Sequence, residues 1–465
     1  MHFSFQRLLL IAGCLLAACN KLVETPPPAA VVGASKVYAD DRGAETAMEG
    51  IYLAMMNNMR GPFNGNFSVL PALSSDEIRC NLPPTPLNAA EDSFYLNRLT
   101  AGNIFNASQY TGCYRLIYDV NSLLDGLSGL NGLTAEKDSE LRGEAELIRA
   151  FIYFYLVNLY GDVPLVVSTL YTATAVQPRA GAAAVYQQVV DDLEDAQRRL
   201  PVAYVGDGRT RPCRAVATAL LARVWLYRGE WGLAAAAAGQ VIGDGRYRLE
   251  PDLGRVFLNG SQEAIWQLMP VYEKEQPDGG SVRVATAEGG LLQPKTNSAA
   301  PMYVLQDSLV SSFEAGDLRE GAWTEKLVLR GREFVYPSKY RQTVWTDVNP
   351  EYETVLRLAE MYLIRAEARA RMGDAAGAAA DLDVVRERAG LRVVGAGDDV
   401  VGAVLKERRI ELFSEWGHRW MDLKRTGLAG VELGGKAGWK ATDTLYPIPA
   451  SELLANPYLT QNGGY

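Results

Sequence analysis

The segment ELIRAFIYFYLVNLYGDVPLV, residues 146–166, leaves a helix almost no polar face. A helix that is apolar nearly all round is either a membrane span or the middle of a helical core. The spanning option fails on length. A bilayer needs about 20 uninterrupted apolar residues, and Arg149 and Asn158 interrupt this run. It also ends in Gly161-Asp162-Val163-Pro164, a glycine able to take left-handed dihedrals followed by a proline that cannot continue the helix. The chain is therefore predicted to contain a buried helix packed on several sides by other helices.

Helical signals recur along the chain in pairs. Residues 214–228 and 231–242 read as two helices joined at Gly229-Glu230, and residues 355–372 and 375–389 repeat the pattern around Gly373-Asp374. A shift of 144 positions superimposes Ala222 on Ala366, Gly229 on Gly373 and Ala234 on Ala378. Small residues there let antiparallel helices approach closely, as in tetratricopeptide-type hairpins. Two further pairs are expected, 111–130 with 139–160, and 182–200 with the helix after Pro212. Residues 60–105 and 255–350 are rich in Gly, Pro, Asn, Ser and aromatics without a sustained helical period. The predicted fold is thus mostly α: a scaffold of tetratricopeptide-like hairpins carrying two large inserts of irregular loops and short strands. The C-terminal YPIPASELLANPYLTQNGGY is too interrupted by Pro and Gly for long regular structure and is expected to strap over the helices.

The N-terminus says where such a chain resides. One cation, Arg7, precedes an apolar block from Leu8 to Ala18, which suits a signal-peptide core and is too short to span. The block ends in Leu16-Ala17-Ala18-Cys19, the pattern of a bacterial lipoprotein signal whose cysteine is acylated after cleavage. Cys14 is a second candidate with a shorter apolar run before it, and an ordinary secretory signal is the remaining alternative. The division expected is a signal peptide over 1–18, a Pro-rich lipidated tether over 19–34 and a single domain over 35–465.

Composition removes several function classes. Loss of residues 1–18 takes away Arg7 and no acid, so the net charge moves from −9 to −10. With no basic face interleaved with aromatics, nucleic acid is not an expected partner. Beyond Cys14 and Cys19 only Cys80, Cys113 and Cys213 remain, enough for at most one disulfide and without metal-site spacing. His2 leaves with the leader, so His418 is the single imidazole available to any catalytic triad. No cofactor and no metal site are predicted; the acidic cluster at 347–351 lacks a calcium-loop spacing.

Several stretches, in order, resemble one family. CNKLVETPPP, DRGAETAMEGIYLAMM, RAFIYFYLVNLYGDVPLV, EMYLIRAEARARMGD, DLDVVRERAG, ERRIELFSEWGHRWMDLKRTG and the C-terminal YPIPASELLANPYLTQNGGY are similar to the SusD/RagB family of outer-membrane nutrient-binding lipoproteins. Trp416-Gly417-His418-Arg419 and Gly463-Gly464 depart modestly from its usual pattern. The resemblance implies a non-catalytic, lipid-anchored protein on the outer membrane, facing the cell exterior. It would capture oligosaccharides, or peptides in the RagB branch, and pass them to a SusC-like TonB-dependent transporter. A helical-repeat envelope scaffold without small-molecule cargo, or an all-α glycoside hydrolase, are the alternatives.

Most charged residues in these motifs read as structural. Arg149, Glu360, Arg365, Glu367, Glu407, Arg408 and Glu411 are expected to pair between helices, with Lys406, Arg408 and Arg409 beside Glu407 and Glu411. Sugar recognition needs flat aromatic faces with polar groups aimed at hydroxyls, and the inserts supply both. The candidate ligand-binding residues are Phe94, Tyr95, Asn97 and Arg98 in the first insert, and Tyr303, Trp323 and Trp345 in the second, with Tyr336 and Tyr352 as further aromatics. Trp323 and Trp345 stand out because their neighbours are polar (Thr324, Glu325; Thr346, Asp347), whereas Trp225, Trp231 and Trp266 are expected to be buried.

Overall fold

A computed structural model describes residues 34–465 apart from 82, 84, 130–131, 207, 272, 276–280, 284–285, 287–290, 295–298 and 396–398. The leader, Cys19 and the tether up to residue 33 lie outside the described residues. Helix Ala135–Tyr160 is the centre of the molecule. Thr134 caps it by accepting from the Lys137 N–H at 3.3 Å, and Glu136 and Asp138 place negative charge in its first turn. From Leu147 to Tyr160 every residue but Asn158 is buried. Its one interior cation, Arg149, is met by both oxygens of Asp192 at 2.8 and 2.7 Å and by Asn121 Oδ1 at 2.9 Å.

Around it the hairpins form a continuous array. Ile104–Ser128, Ala135–Tyr160, Ala182–Arg199, Arg214–Arg228, Trp231–Ile242, Leu358–Arg371, Ala375–Arg388 and Val400–Glu411 each pack against a neighbour in that order. The 144-residue correspondence is real in space. Ala222, Ala234, Ala366 and Ala378 are all fully buried, and Gly229 and Gly373 turn at φ of 75° and 88°, where a side chain would be strained. Helix Trp231–Ile242 packs directly on Leu358–Arg371, although more than a hundred residues separate them in sequence.

The second insert leaves and returns at one place. Strand Ala264–Leu268 pairs antiparallel with Glu353–Arg357, zipping both ends of the insert together beneath the array. Strand Ile78–Cys80 of the first insert pairs with Tyr303–Leu305 of the second, so the two inserts are joined. The first insert is more helical than expected, with helices Asn66–Ser74 and Pro86–Tyr95. All nine residues of the former are buried and Pro71 interrupts it, so no amphipathic period marks it. Its Phe67 stacks on Tyr155 of the central helix at 4.1 Å, while Trp266 and Trp416 reach Phe151 at 5.4 and 5.5 Å. The inserts and the C-terminus thus cover the faces that other helices leave open. The C-terminal strap does the same at the helix end: Tyr446 N–H donates to Leu159 O at 2.7 Å, and Asn462 Nδ2 donates to Tyr160 O at 2.9 Å.

A buried ion cluster fastens the second insert to the last hairpins. Arg357, at the end of the zipped strand, meets Glu263 Oε1 at 2.8 Å, Glu411 Oε1 at 2.5 Å and both oxygens of Glu415 at 2.8 and 2.9 Å. Arg319 meets Asp317 together with Glu407 at 2.6 Å and Glu411 at 2.8 Å, and Arg388 bridges Glu263 and Glu411. The expected pairing of Glu407 and Glu411 therefore holds, with different partners. Lys406, Arg408 and Arg409 on the same helix go instead to Glu314, Asp422 and Asp76. Further interhelical pairs include Arg223–Glu360, Arg365–Asp381 and Arg425–Glu367. Of the tryptophans expected inside, Trp266 is buried, while Trp225 and Trp231 are half-buried and covered by Arg228 and Arg371. Cys113 and Cys213 are free, buried thiols.

Burial alone would raise the Glu411 carboxyl, but the charges of Arg388, Arg357 and Arg319 outweigh it and hold it well below the usual carboxylate value. A group depressed in the folded state contributes stability above its unfolded value, near 4.3, and loses it as pH falls toward the folded one. Glu411→Gln and Arg357→Ala are each expected to cost about 3–5 kcal/mol at neutral pH. For Glu411→Gln the deficit shrinks as pH falls below about 4. Urea unfolding of each variant across pH 3–8 measures both.

Candidate functional site: a half-exposed aromatic platform in the second insert

Residues 341–352 form a loop whose two ends are stapled by one carboxylate. Glu351 is buried, and its oxygens accept the Arg341 N–H at 2.8 and 3.0 Å and the Gln342 N–H at 2.9 Å. Gln342 answers with Oε1 accepting the Glu351 N–H at 3.1 Å and Nε2 donating to Asn349 O at 2.8 Å. Burial raises the Glu351 carboxyl above its usual value, and the two backbone N–H groups oppose that rise. The loop is moored on both sides: Asn259 N–H donates to Pro350 O at 2.7 Å, and Trp345 N–H donates to Arg283 O at 2.9 Å.

These moorings hold Trp345 half-exposed between two partners. The Tyr352 ring lies 5.9 Å away at an interplanar angle of 30°, and the Arg283 guanidinium sits over the indole at 5.1 Å. Trp345 Nε1 donates to Asp347 Oδ1 at 3.0 Å, fixing the ring's rotation. Thr346 stands half-buried beside it, and Asp347 and Asn349 are exposed. The result is a tilted aromatic surface edged by a guanidinium, a carboxylate and hydroxyl or amide groups. Such a surface can stack on the apolar face of a sugar ring and hydrogen-bond its hydroxyls.

The other second-insert candidates do not join it. Trp323, despite its polar neighbours, is buried in the ion cluster: Nε1 donates to Leu253 O at 3.0 Å, and Lys339, Arg357 and Arg388 lie 4.7, 5.7 and 5.7 Å from its ring. Its polar surroundings are the cations it covers, which come from residues remote in sequence. Tyr303 is buried in the strand pairing the two inserts, and Tyr336 is buried with its hydroxyl donating to Glu325 at 2.8 Å.

The first-insert candidates occupy a different neighbourhood and are split between core and surface. Phe94 is buried edge-on to Tyr446 at 5.3 Å, and Asn97 is buried with φ of 50°. Tyr95 is half-buried under Lys436 Nζ, 4.8 Å from its ring, and Arg98 is exposed. Arg98 borders a cavity of about 650 Å³ shared with Leu87, Ser93, Thr100 and Asn103. Lys436 in turn donates to the carbonyls of Leu73, Ser74 and Ser75 at 3.2, 3.0 and 2.8 Å, closing the end of helix Asn66–Ser74.

His418 lies in the core, its Nε2 3.9 Å from Glu360. Burial, then the charges of Arg223 and Arg408, push it well below its usual value, so it stays neutral. Sequence reasoning missed Arg283 as part of the platform. It reaches Trp345 through the hairpin that pairs Glu273–Glu275 with Ser281–Arg283, and no local pattern announces that approach.

Two family models match the chain, one described as starch-binding associating with outer membrane over residues 82–226, the other as the SusD family over residues 301–437. Together they cover more than half of it. The chain belongs to the SusD family. SusD-like proteins P38 and P25 of Formosa agariphila are each 24% identical to it, over 100% and 98% of this chain and 99% and 98% of their own lengths. A laminarin-binding SusD-like protein superposes with a TM-score of 0.78 at 24% identity, covering 92% of this chain and 100% of that one. Surface glycan-binding protein A from Bacteroides fluxus gives 0.77 at 21% identity, covering 91% and 99%. Within this SusD family member, Trp345 and Tyr352 fall inside the second match, whereas Arg283 falls between the two. No helix among the described residues is long and apolar enough to cross a membrane.

Removing the staple should loosen the platform without unfolding the protein. Glu351→Ala is expected to speed amide exchange over 341–350 several-fold and to lower global stability by about 1–3 kcal/mol, the scale of one lost buried carboxylate hydrogen-bond set. Hydrogen-exchange mass spectrometry of this segment measures the effect.

Proposed function

We propose that this protein is a cell-surface lipoprotein, anchored through acylated Cys19, that captures oligosaccharides and delivers them to a SusC-like TonB-dependent transporter in the outer membrane. The half-exposed Trp345–Tyr352 pair beside Arg283 carries the glycan reading. Membership of the SusD family and the laminarin-binding relative support it. The chain acts as a binder, not a catalyst. Glu407 and Glu411, whose spacing on one helix face could suggest a pair of catalytic carboxylates, are buried and committed to Arg319, Arg357, Arg386 and Arg388. On the first insert, Tyr95 and Arg98 offer a second contact region for a longer glycan chain.

Calorimetric titration of the protein with laminarin-type and other oligosaccharides, and with a peptide digest, tests the cargo. Saturable heat with one glycan class is expected, and Trp345→Ala should weaken it by at least about tenfold, the worth of one buried aromatic face. Trp323→Ala should instead destabilise the fold by about 3–5 kcal/mol. Heat from the digest alone would transfer the protein to the peptide-capturing branch, release of reducing ends would make it an enzyme, and silence throughout would leave an envelope scaffold. The anchor has its own test. Mass spectrometry of the mature protein should find acyl mass on Cys19, and Cys19→Ala should abolish it.

A further inference from the structure

One exposed apolar surface is not used by the platform or by the scaffold. Between strands Val163–Pro164 and Arg179–Ala180 the chain makes an excursion whose base is rigid. Tyr114 Oη donates to Pro164 O at 2.8 Å, Asn121 Nδ2 donates to Val166 O at 3.0 Å, and Thr169 Oγ1 donates to Asp125 Oδ2 at 2.5 Å. Gln177 Nε2 closes the loop by donating to Leu165 O at 2.7 Å. Beyond that base, Leu170 is 62% and Tyr171 78% exposed at the start of the helical turn Tyr171–Thr174, and Val167 and Val176 are exposed beside them. Tyr118 belongs to the same surface, because residues 114, 121 and 125 of its helix all face this loop and 118 lies between them on that face. It is 56% exposed.

Residues 163–178 contain no Asp, Glu, Lys or Arg, in a chain that is 22% charged. The charges at the two ends are committed inward: Asp162 Oδ1 accepts the Ala182 N–H at 2.8 Å, and Arg179 donates to Asp162 O and Thr460 O at 2.7 and 2.9 Å. Position adds the second argument. The described chain begins at helix Ala34–Val37, and the Tyr38 ring lies against Gly126, one residue from the Asp125 that holds the loop. The tether from Cys19 therefore joins the domain at the same end of helix Ile104–Ser128 as the Asp125 contact that holds this loop, and its fifteen-residue length limits the separation between lipid and domain to about 50 Å at full extension.

We infer that the 163–178 excursion, with Tyr118, is a membrane-facing surface that rests Leu170 and Tyr171 in the lipid interface next to the anchor. Uncharged aliphatic and tyrosine side chains are the chemistry of that interface, where an apolar body is buried and a hydroxyl stays wet. A surface so placed would set the domain's orientation on the bilayer and add a second point of attachment to the lipid anchor. The inference rests on the lipid-anchored reading proposed above.

The test uses the full lipidated protein in vesicles of phosphatidylcholine with brominated acyl chains. The indole introduced by Tyr171→Trp should be quenched several-fold more than the native tryptophans. The quenching should not change between about 0.1 and 1 M salt, since no charge is involved. Leu170→Asp in the same background should abolish the quenching while leaving the melting temperature unchanged. Acylated, vesicle-bound protein without extra quenching would overturn the inference and leave the anchor intact. Quenching in a chain that mass spectrometry finds unacylated would uphold the surface and overturn the anchor. Exchange protection of 163–178 only when outer-membrane proteins are added would assign the surface to a protein partner and overturn the lipid.

Discussion

Arg357 is the residue on which the arrangement of inserts and hairpins depends. Its guanidinium touches Glu263, just ahead of the zipped strand Ala264–Leu268, Glu411 at the end of the last array helix and Glu415 in the segment after it. Removing so many charges from water is costly, and the cost is offset only because every carboxylate has several donors in good geometry. Lys339 completes the assembly, with its ammonium on Glu415 at 2.5 Å and enclosed by the Trp323 and Phe413 rings at 4.7 and 4.1 Å. Burial pushes this lysine down to about 8. A cluster of this kind tolerates one arrangement of its members, so it specifies where the insert sits as well as helping to hold it there.

The same logic explains the helix that is apolar on every side. A hairpin array alone covers two faces of a helix. The central helix Ala135–Tyr160 receives Phe63 and Phe67 from the first insert, Trp266 from the second and Trp416 from the C-terminal region. Gly417 shows how tightly this is packed, since a Cβ there would lie 2.8 Å from Pro71 and 3.0 Å from Phe67 O. The inserts are therefore part of the core, and the platform they carry stands on a rigid base.

Periodic features were legible from residues alone. Helices Arg214–Arg228 and Trp231–Ile242 begin and end where their glycines and apolar spacing indicate, and the stacked hairpins follow from the 144-residue correspondence. Helix Asn66–Ser74 was not legible, because complete burial erases the contrast between its faces and Pro71 argues against it. For the platform, Trp345 and Trp323 look alike in sequence, each an indole among polar neighbours. What separates them is the long-range partners: Arg283 and Tyr352 leave Trp345 half-open, while Lys339, Arg357 and Arg388 enclose Trp323. Local chemistry records which residues can recognise a ligand, and only tertiary placement decides which of them are exposed to one.

The antiparallel zip between Ala264–Leu268 and Glu353–Arg357 has a consequence for how such a protein can change. Because the two ends of the excursion are already held side by side, lengthening or rewriting what lies between them adds only a slowly growing loop-closure cost. The scaffold keeps the same two strand ends, and within the excursion it relies on Tyr303–Leu305 paired with the first insert and on the buried Arg319, Trp323 and Lys339. The exposed loop 341–350 thus behaves as a cassette, in which new recognition surfaces can be tried while the array, the strap and the buried part of the insert stay constant.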